Sequence, residues 1–406
     1  LRIFPDWLAA YMDYTNLLEA PGRFHFWAGV STVAGALRKR VWLDQRRFQW
    51  VPNFYILLIG PPGVVNKTTT IDTATDLLHE VPGIHFGADA TSWQSLVSEM
   101  EENIEAVEIG DRVHKMSCLT ISLSEFGTFL DPEDRAQMDA LVALWDGRKT
   151  PFRKSTKTQG RETIPSPWIN IIAGTTPAWM RRNFTLDLLD GGLGSRIVFL
   201  FASQKRHYRA FLDSTTPSQE DEMLRESLIL DLRDIASLKG EYHLSPEARS
   251  FGEVWYESHW RDRPAYLASE RFDGYYGRKQ THIMKLAMIL SAARRSSLLI
   301  TLEDIMAAEK IITSIEVGMQ KVFKIVGASE EGRHILNIVQ EVKALGQVEF
   351  KDLYRRFLKD VRGPEELAAM IKGAVNAGYL QWVGPGTLEY CKDKEEENDG
   401  EENREN

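Results

Sequence analysis

"GPPGVVNKTTT", residues 60–70, is the stretch on which the reading of this chain turns. Loops of the pattern G-x-x-x-x-G-K-[ST] point successive backbone N–H groups into a concavity at a helix N-terminus, where phosphate oxygens bind. Here Gly60 stands seven residues before Lys67 where the pattern has six, and Asn66 takes the place of the last glycine. The surroundings favour the match. "NFYILLIG" (53–60) is a short apolar run and "TTTIDTATDLLHEV" after it has helical character, so the loop joins a strand to a helix. In this reading Gly60, Gly63, Asn66, Lys67, Thr68 and Thr69 bind a nucleotide. Lys67 reaches the β and γ phosphates, and the Thr68 hydroxyl ligates Mg²⁺.

Working outward, "CLTISLSEFG" (118–127), "WINIIAGTTP" (168–177) and "SRIVFLFA" (195–202) are further buried-strand candidates. Four apolar strands separated by helical stretches predict an α/β domain with a mostly parallel sheet over 51–205. Residues 1–50 read as a helical segment, with "RFHFWAGVSTVAGALRKRVW" its clearest amphipathic piece. From 206 to 328 the chain reads as helices, among them "SPEARSFGEVWYESHW" and a "TLED" start at 301 with the Thr-x-x-Asp capping order. Residues 329–391 give three helices and a hairpin about a Gly-Pro-Gly turn, the order of a winged helix. No internal repeat is found.

Each strand end carries candidate chemistry. Ser124 and Glu125 close the 118–127 strand, where a carboxylate can orient an attacking water and Ser124 stands in the usual place of a metal-supporting Asp. A hydroxyl there brings no charge, so weaker metal affinity is expected. Thr175 and Thr176 close the next strand, suited to bonding water or the γ phosphate. Arg196 enters the last strand after a glycine-rich turn, and a guanidinium supplied from a neighbouring subunit can complete a phosphate site. Arg181 and Arg182 compete for that role.

The order "GPPGVVNKT", "LSEF", "AGTTP", "GSRIVF" and "RKQTHIMKLAMILSAAR…TLEDIMAA" resembles that of AAA+ ATPases of the minichromosome maintenance type. It is also similar to phage helicase-like ATPases with a Gly/Ala-Pro-Pro-Gly loop. The resemblance covers roughly 50 to 325. It implies a P-loop AAA+ domain with a helical lid, followed here by the winged helix. Lys67 and Thr68 then correspond to Walker A, Glu125 to Walker B and Thr176 to sensor 1. Arg196 corresponds to the arginine finger and Arg278 to sensor 2. ATP and Mg²⁺ are the implied cofactors, and a hexameric ring the implied assembly.

"RKTPFRKSTKTQGR", residues 148–161, holds six Lys/Arg and no acid, and lies where such helicases carry a pore hairpin. Arg148, Lys149, Arg153, Lys154, Lys157 and Arg161 are the candidate contacts to single-stranded or forked DNA. The local character matters because the whole chain has a net charge of −9, which excludes a generally basic binding surface. "KDKEEENDGEENREN" (392–406) holds eight acidic and three basic residues and no apolar side chain, so disorder is expected there. The tail and the winged helix are the candidate docking elements for replication proteins.

The 406 residues, 43% hydrophobic, suit two to three domains. No apolar run approaches the roughly 20 residues that span a bilayer, and "LRIFPDWLAAYMDY" lacks the order of a signal peptide. No membrane partner and a bacterial or host cytoplasm are therefore expected. The first residue is not Met, so the chain reads as a piece of something longer. Cys118 and Cys391 make no disulfide framework or zinc spacing and read as structural thiols. The expected function is an ATP-driven ring-shaped DNA helicase or translocase in phage or mobile-element replication. The alternatives are a loader or initiator that remodels protein–DNA complexes without unwinding, and a binding module with a structural nucleotide.

Overall fold

The computed structural model describes residues 2–88, 93–156, 160–184, 188, 192–209, 219–327 and 330–391. The chain divides into two compact units, Leu1–Val326 and Gly327–Asn406.

The first unit opens with helices α1 (Trp7–Tyr14) and α2 (Gly22–Leu37). Asp6 starts α1 by accepting from the Leu8 and Ala9 amides, satisfying donors that have no partner inside the helix. The strands β1 (Val41–Asp44) and β2 (Gln49–Trp50) then interrupt the helical reading of residues 1–50. There follow β3 (Tyr55–Ile59), α3 (Lys67–His79), α4 (Trp93–Glu102), β4 (Ile104–Ile109) and β5 (Arg112–Leu123). Next come α5 (Arg135–Trp145), β6 (Phe152–Thr156), β7 (Gly160–Ile164), β8 (Pro167–Thr175), α6 (Pro177–Asn183) and β9 (Ile197–Phe201).

The main sheet has the order β4-β5-β8-β3-β9. β5, β8, β3 and β9 are parallel; β4 is an antiparallel edge strand on the first half of β5. Beyond it, residues 85–87 bridge the second half of β5: the Gly87 amide donates to Thr120 and the Thr120 amide to His85. Every residue of β3 and β8 is buried, so both faces of these strands are covered, which is why they read as unbroken apolar runs without alternation. β8 lies between β3 and β5, although it follows both in sequence. The chain order thus reverses at β3, and in open parallel sheets ligands bind outside the strand C-termini at such a reversal.

The helices Gln219–Ala236, Pro246–Arg261, Lys279–Arg294 and Leu302–Ser314 complete this unit, joined by Glu316–Gly327. Ser245 caps its helix through the Ala248 amide, and Thr301 with Asp304 forms the capping box read from the sequence. The segments 1–50, 51–205 and 206–328 share one hydrophobic core, in which Trp7, Trp27, Phe199 and Leu286 are all buried. Helix Lys279–Arg294 is fixed to the sheet by a buried lysine. Lys285 Nζ donates to Asn53 Oδ1 and to the Trp145 carbonyl at 3.0 Å, and lies 4.0 Å from the centre of the Trp145 ring. Asn53, two residues ahead of β3, in turn donates to the Ile169 carbonyl at 2.9 Å.

The second unit has helices Glu330–Leu345, Phe350–Arg356 and Pro364–Asn376, with strand Gln347–Glu349 after the first. A hairpin, Leu380–Gly384 and Thr387–Tyr390, turns at Gly386 with φ 81°, and its second strand pairs with Gln347–Glu349. Ile338, Val342, Leu353, Leu367, Ile371 and Leu388 form its own core. Residues 392–406, read as an acidic tail, lie outside the described residues. No helix among the described residues is long and apolar enough to cross a membrane. Cys118 and Cys391 are free, and burial pushes the Cys118 thiol up to about 12, as a structural thiol requires.

Candidate functional site

The loop from Gly60 to Asn66 turns the chain from β3 into α3. Asn66 is the residue before the helix and has φ 47° and ψ 44°, the left-handed conformation. Asparagine tolerates that region better than other non-glycine residues, so the substitution for the pattern's last glycine keeps the backbone geometry. Its side-chain amide donates to Glu19 at 3.0 Å. Glu19 also accepts from Lys205 and, at 2.7 Å, from the Arg209 amide, and these bonds bring its carboxyl down to about 2. At the other end of the loop, a Cβ on Gly60 would lie 2.4 Å from Val65 and 2.7 Å from the Ala202 carbonyl, so only glycine fits. Gly63, with φ 70°, faces open space at the loop's crest.

Lys67 is the first residue of α3. It is buried, with Nζ donating to the Gly60 carbonyl at 2.9 Å and to that of Pro61 at 3.4 Å. Burial lowers its pKa and the nearby charge of Glu125 opposes that shift. Thr68 and Thr69 are exposed on the first turn.

Strand register brings the other candidates to the same edge. Ile59 pairs with Thr175 and Leu123 with Ala173, so the ends of β3, β5 and β8 are level. Gly174 lies against both neighbouring elements: a Cβ there would be 2.5 Å from the Ser124 carbonyl and 3.5 Å from Lys67 Cβ. Ser124 and Glu125 are exposed immediately beyond β5. Thr175 is fully buried, and its hydroxyl has no hydrogen-bond partner, which is uncommon for a buried polar group. Thr176 caps α6, its oxygen accepting from the Trp179 amide at 3.1 Å while the hydroxyl proton stays available to donate. Arg181 and Arg182 are exposed in the last turn of that helix.

Arg196 and Arg278 lie elsewhere. Arg196 directly precedes β9, whose first residue pairs with Tyr55, so it stands at the N-terminal edge of the sheet. Five residues of strand separate that level from Gly60, roughly 17 Å at about 3.3 Å per residue. Its side chain is 5% exposed and forks onto Asp146, with three N–H bonds of 2.8 to 3.0 Å and a further bond to the Gly192 carbonyl. Arg278 donates to the Gly274 carbonyl at 3.1 Å, and its pKa is lowered by burial and by Arg196. Neither arginine shares an edge with its own chain's Lys67.

The basic segment forms a ribbon. β6 and β7 pair only with each other, with Arg153 opposite Thr163, Lys154 opposite Glu162 and Ser155 opposite Arg161. Phe152 at its base meets Trp93 edge to face. The preceding residues are tied to the body: the Arg148 carbonyl accepts from the buried Lys39 at 2.7 Å, and Lys149 pairs with Asp44. Arg153 is exposed; Lys157 lies outside the described residues.

These residues fit a phosphate-bearing ligand on three counts: the Asn66 turn, the buried ammonium and the unpartnered Thr175 hydroxyl. Thr68, Ser124 and Glu125 offer hard oxygen donors of the kind Mg²⁺ takes. Among the described residues no cluster of three or more His, Cys, Asp or Glu could hold a metal, so phosphate oxygens would have to supply much of its shell. Sequence reading passed over Gly174, Glu19 and Asp146. The signal for Gly174 stood in "AGTTP", but Glu19 and Asp146 are 47 and 50 residues from their partners, and no local pattern marks them. Comparison with protein-family models and with curated proteins returns no match.

Proposed function

We propose that this chain is a P-loop ATPase of the AAA+ type, resembling the minichromosome maintenance ATPases, that works as a ring-shaped DNA helicase or translocase. The observation that carries the reading is the convergence of Lys67, Ser124, Glu125 and the unpartnered Thr175 hydroxyl at one strand-terminal edge. The insertion of β8 between β3 and β5 supports the AAA+ assignment, since it sets a carboxylate across a strand's width from the loop, with room for phosphate and water between.

In this mechanism ATP lies along the loop with its phosphates on the α3 N-terminus. Lys67 exchanges its bonds to Gly60 and Pro61 for phosphate oxygens. Glu125 accepts a hydrogen bond from the attacking water and holds it in line, and Thr175 and Thr176 donate toward the γ phosphate or that water. Thr68 and Ser124 would hold Mg²⁺, which would supply charge neutralisation for the phosphates. Arg196 and Arg278 are too far to serve their own chain, so a phosphate-binding role for them requires a neighbouring copy, which supports a ring, proposed as a hexamer. The ribbon β6–β7 is the proposed DNA contact. The helix–strand–helix–helix–hairpin order of the second unit supports a winged helix, proposed for docking.

The Arg196–Asp146 fork favours a second reading, a loader or initiator that remodels protein–DNA complexes without unwinding, because the finger is already engaged. The deciding experiment measures phosphate release with and without single-stranded DNA for the parent chain, Lys67→Ala and Glu125→Gln, alongside displacement of a labelled strand from a fork. Turnover that stops in both variants supports the ATPase, and strand displacement selects the helicase. Normal turnover in either variant refutes the site.

A further inference from the structure

The β1–β2 hairpin turns through Gln45–Phe48, where the Gln45 amide donates to the Phe48 carbonyl at 2.9 Å. Arg46, Arg47 and Phe48 are all exposed at this turn, Phe48 to 51%. Among the described residues neither guanidinium is paired with a carboxylate; Asp44, the acid at the end of β1, is engaged by Lys149 instead. Arg46 has φ 62°, the left-handed backbone that glycine and asparagine adopt more readily in such turns, so turn geometry does not select an arginine there. Phe48 meets Trp50 edge to face at 5.4 Å, which steadies the ring and leaves half of it open to solvent.

The hairpin and the basic ribbon are joined at their bases. Lys149 Nζ donates to the Arg46 carbonyl at 3.3 Å, and Gln49 Nε2 to the Gly147 carbonyl at 3.3 Å. Gly147, with φ 66°, packs so closely that a Cβ there would lie 2.6 Å from Val51 Cγ2. Both elements stand at the N-terminal edge of the sheet, where the hairpin leads into β3 and the ribbon into β8. Arg153 follows Lys149 by four residues, at most about 14 Å of extended chain. We infer that the β1–β2 hairpin is a second contact for single-stranded nucleic acid, in which Arg46 and Arg47 bind backbone phosphates and Phe48 stacks on a base. The inference rests on the nucleic-acid reading of β6–β7 and lengthens the path a strand follows across that edge. Exposed arginines without carboxylate partners suit phosphates, and an open aromatic ring takes an unstacked base whatever its sequence. A chain of net charge −9 needs such groups gathered locally, and the turn gathers three of them in consecutive positions.

The test measures binding of single-stranded oligo(dT), and of an abasic strand of equal length, over a range of salt. The proteins are the parent, Arg46→Ala/Arg47→Ala, Phe48→Ala, Phe48→Trp and the ribbon variant Arg153→Ala/Lys154→Ala, with equal thermal melting as the check on folding. Arg46→Ala/Arg47→Ala should weaken both strands and lower the slope of log affinity against log salt by about 1.4, at about 0.7 for each lost contact. Phe48→Ala should weaken oligo(dT) about tenfold with the slope unchanged, while the abasic strand binds as to the parent. Phe48→Trp, which keeps a stacking face, should retain the parent's affinity. Parental affinity and slope in Arg46→Ala/Arg47→Ala, with the ribbon variant impaired, overturns the hairpin contact and leaves the ribbon standing. The reverse pattern supports the hairpin and removes the ribbon. Equal loss of both strands in Phe48→Ala and Phe48→Trp overturns the stacking, since the ring would then be structural. A polyglutamate peptide that binds the parent and is lost from the hairpin variants, with oligo(dT) unchanged, makes the turn a docking point for acidic protein segments and overturns the inference. A parent that binds neither strand overturns hairpin and ribbon together.

Discussion

Replacing Gly174 by alanine tests whether the convergence of strand ends is the working part of the site. The added Cβ would lie 2.5 Å from the Ser124 carbonyl oxygen and 3.4 Å from its carbon. That is about 0.5 Å inside the 3.0 Å that real Cβ atoms essentially never breach, and both neighbours are backbone, with no flexible side-chain end to swing aside. Either β5 and β8 hold their register and the chain carries the strain, or Ser124 and Glu125 move outward. Overpacking of this kind costs about 1–3 kcal/mol. A displacement near 1 Å in a water-positioning carboxylate costs on the order of a hundredfold in rate. Gly174→Ala should therefore melt lower than the parent and release phosphate about a hundredfold more slowly, while nucleotide binding, which depends on the loop, changes far less. Thermal unfolding and steady-state phosphate release measure the two quantities. Parental stability together with parental turnover would mean that the end of β5 takes no part in catalysis.

Other outcomes follow from the same geometry. Asp146→Ala leaves the Arg196 guanidinium with one carbonyl partner in a buried setting. With Asp146 itself 41% exposed, a loss of about 2 kcal/mol is expected by urea titration, and an unchanged midpoint would show the fork to be idle. His25 and His282 are buried with pKa values drawn down to about 3, so the unfolded chain takes up protons that the folded chain refuses. Stability present above pH 6.5 should be lost progressively as pH falls toward 3, by about 1.4 kcal/mol per pH unit for each ring, and His282→Gln should flatten the slope. Mixing Arg196→Ala with Lys67→Ala protein should restore turnover that each lacks if the finger acts between copies. No recovery despite subunit exchange takes the finger role away from Arg196 and leaves it to Arg181 or Arg182. Arg153→Ala/Lys154→Ala/Lys157→Ala should weaken single-stranded DNA binding and lower the salt slope by about 0.7 per lost contact, with basal ATPase retained. Parental affinity and slope, with both lost on deleting residues 329–406, would move the DNA contact to the second unit.

The parallel strands were legible because each is buried on both faces and therefore apolar throughout, as in "YILLI" and "WINIIAG". The edge strand β4 was missed: "IEAVEI" alternates with a Gly-Asp turn after it, but most of its residues are exposed or half-buried, so the run is not apolar. β1 and β2 escaped notice as short pieces inside a helical stretch, and β1 pairs with Gly240 and Glu241, far along the chain. Of the candidate site, Lys67, Ser124, Glu125 and the threonine pair could be read because each follows a strand end, where local pattern suffices. The Asn66–Glu19 and Arg196–Asp146 contacts could not, because they depend on tertiary folding between residues about 50 positions apart.

Lys285 acts on the molecule as a pin does on a hinge. Its amine is held by Asn53 and the Trp145 carbonyl, and burial draws its pKa far down. Turning helix Lys279–Arg294 against the sheet would strip those acceptors from a fully buried polar group, a cost of about 1–3 kcal/mol. The pinned joint lies at the foot of β3, while the loop opens at its head, so the sheet and this helix rotate as one lever arm.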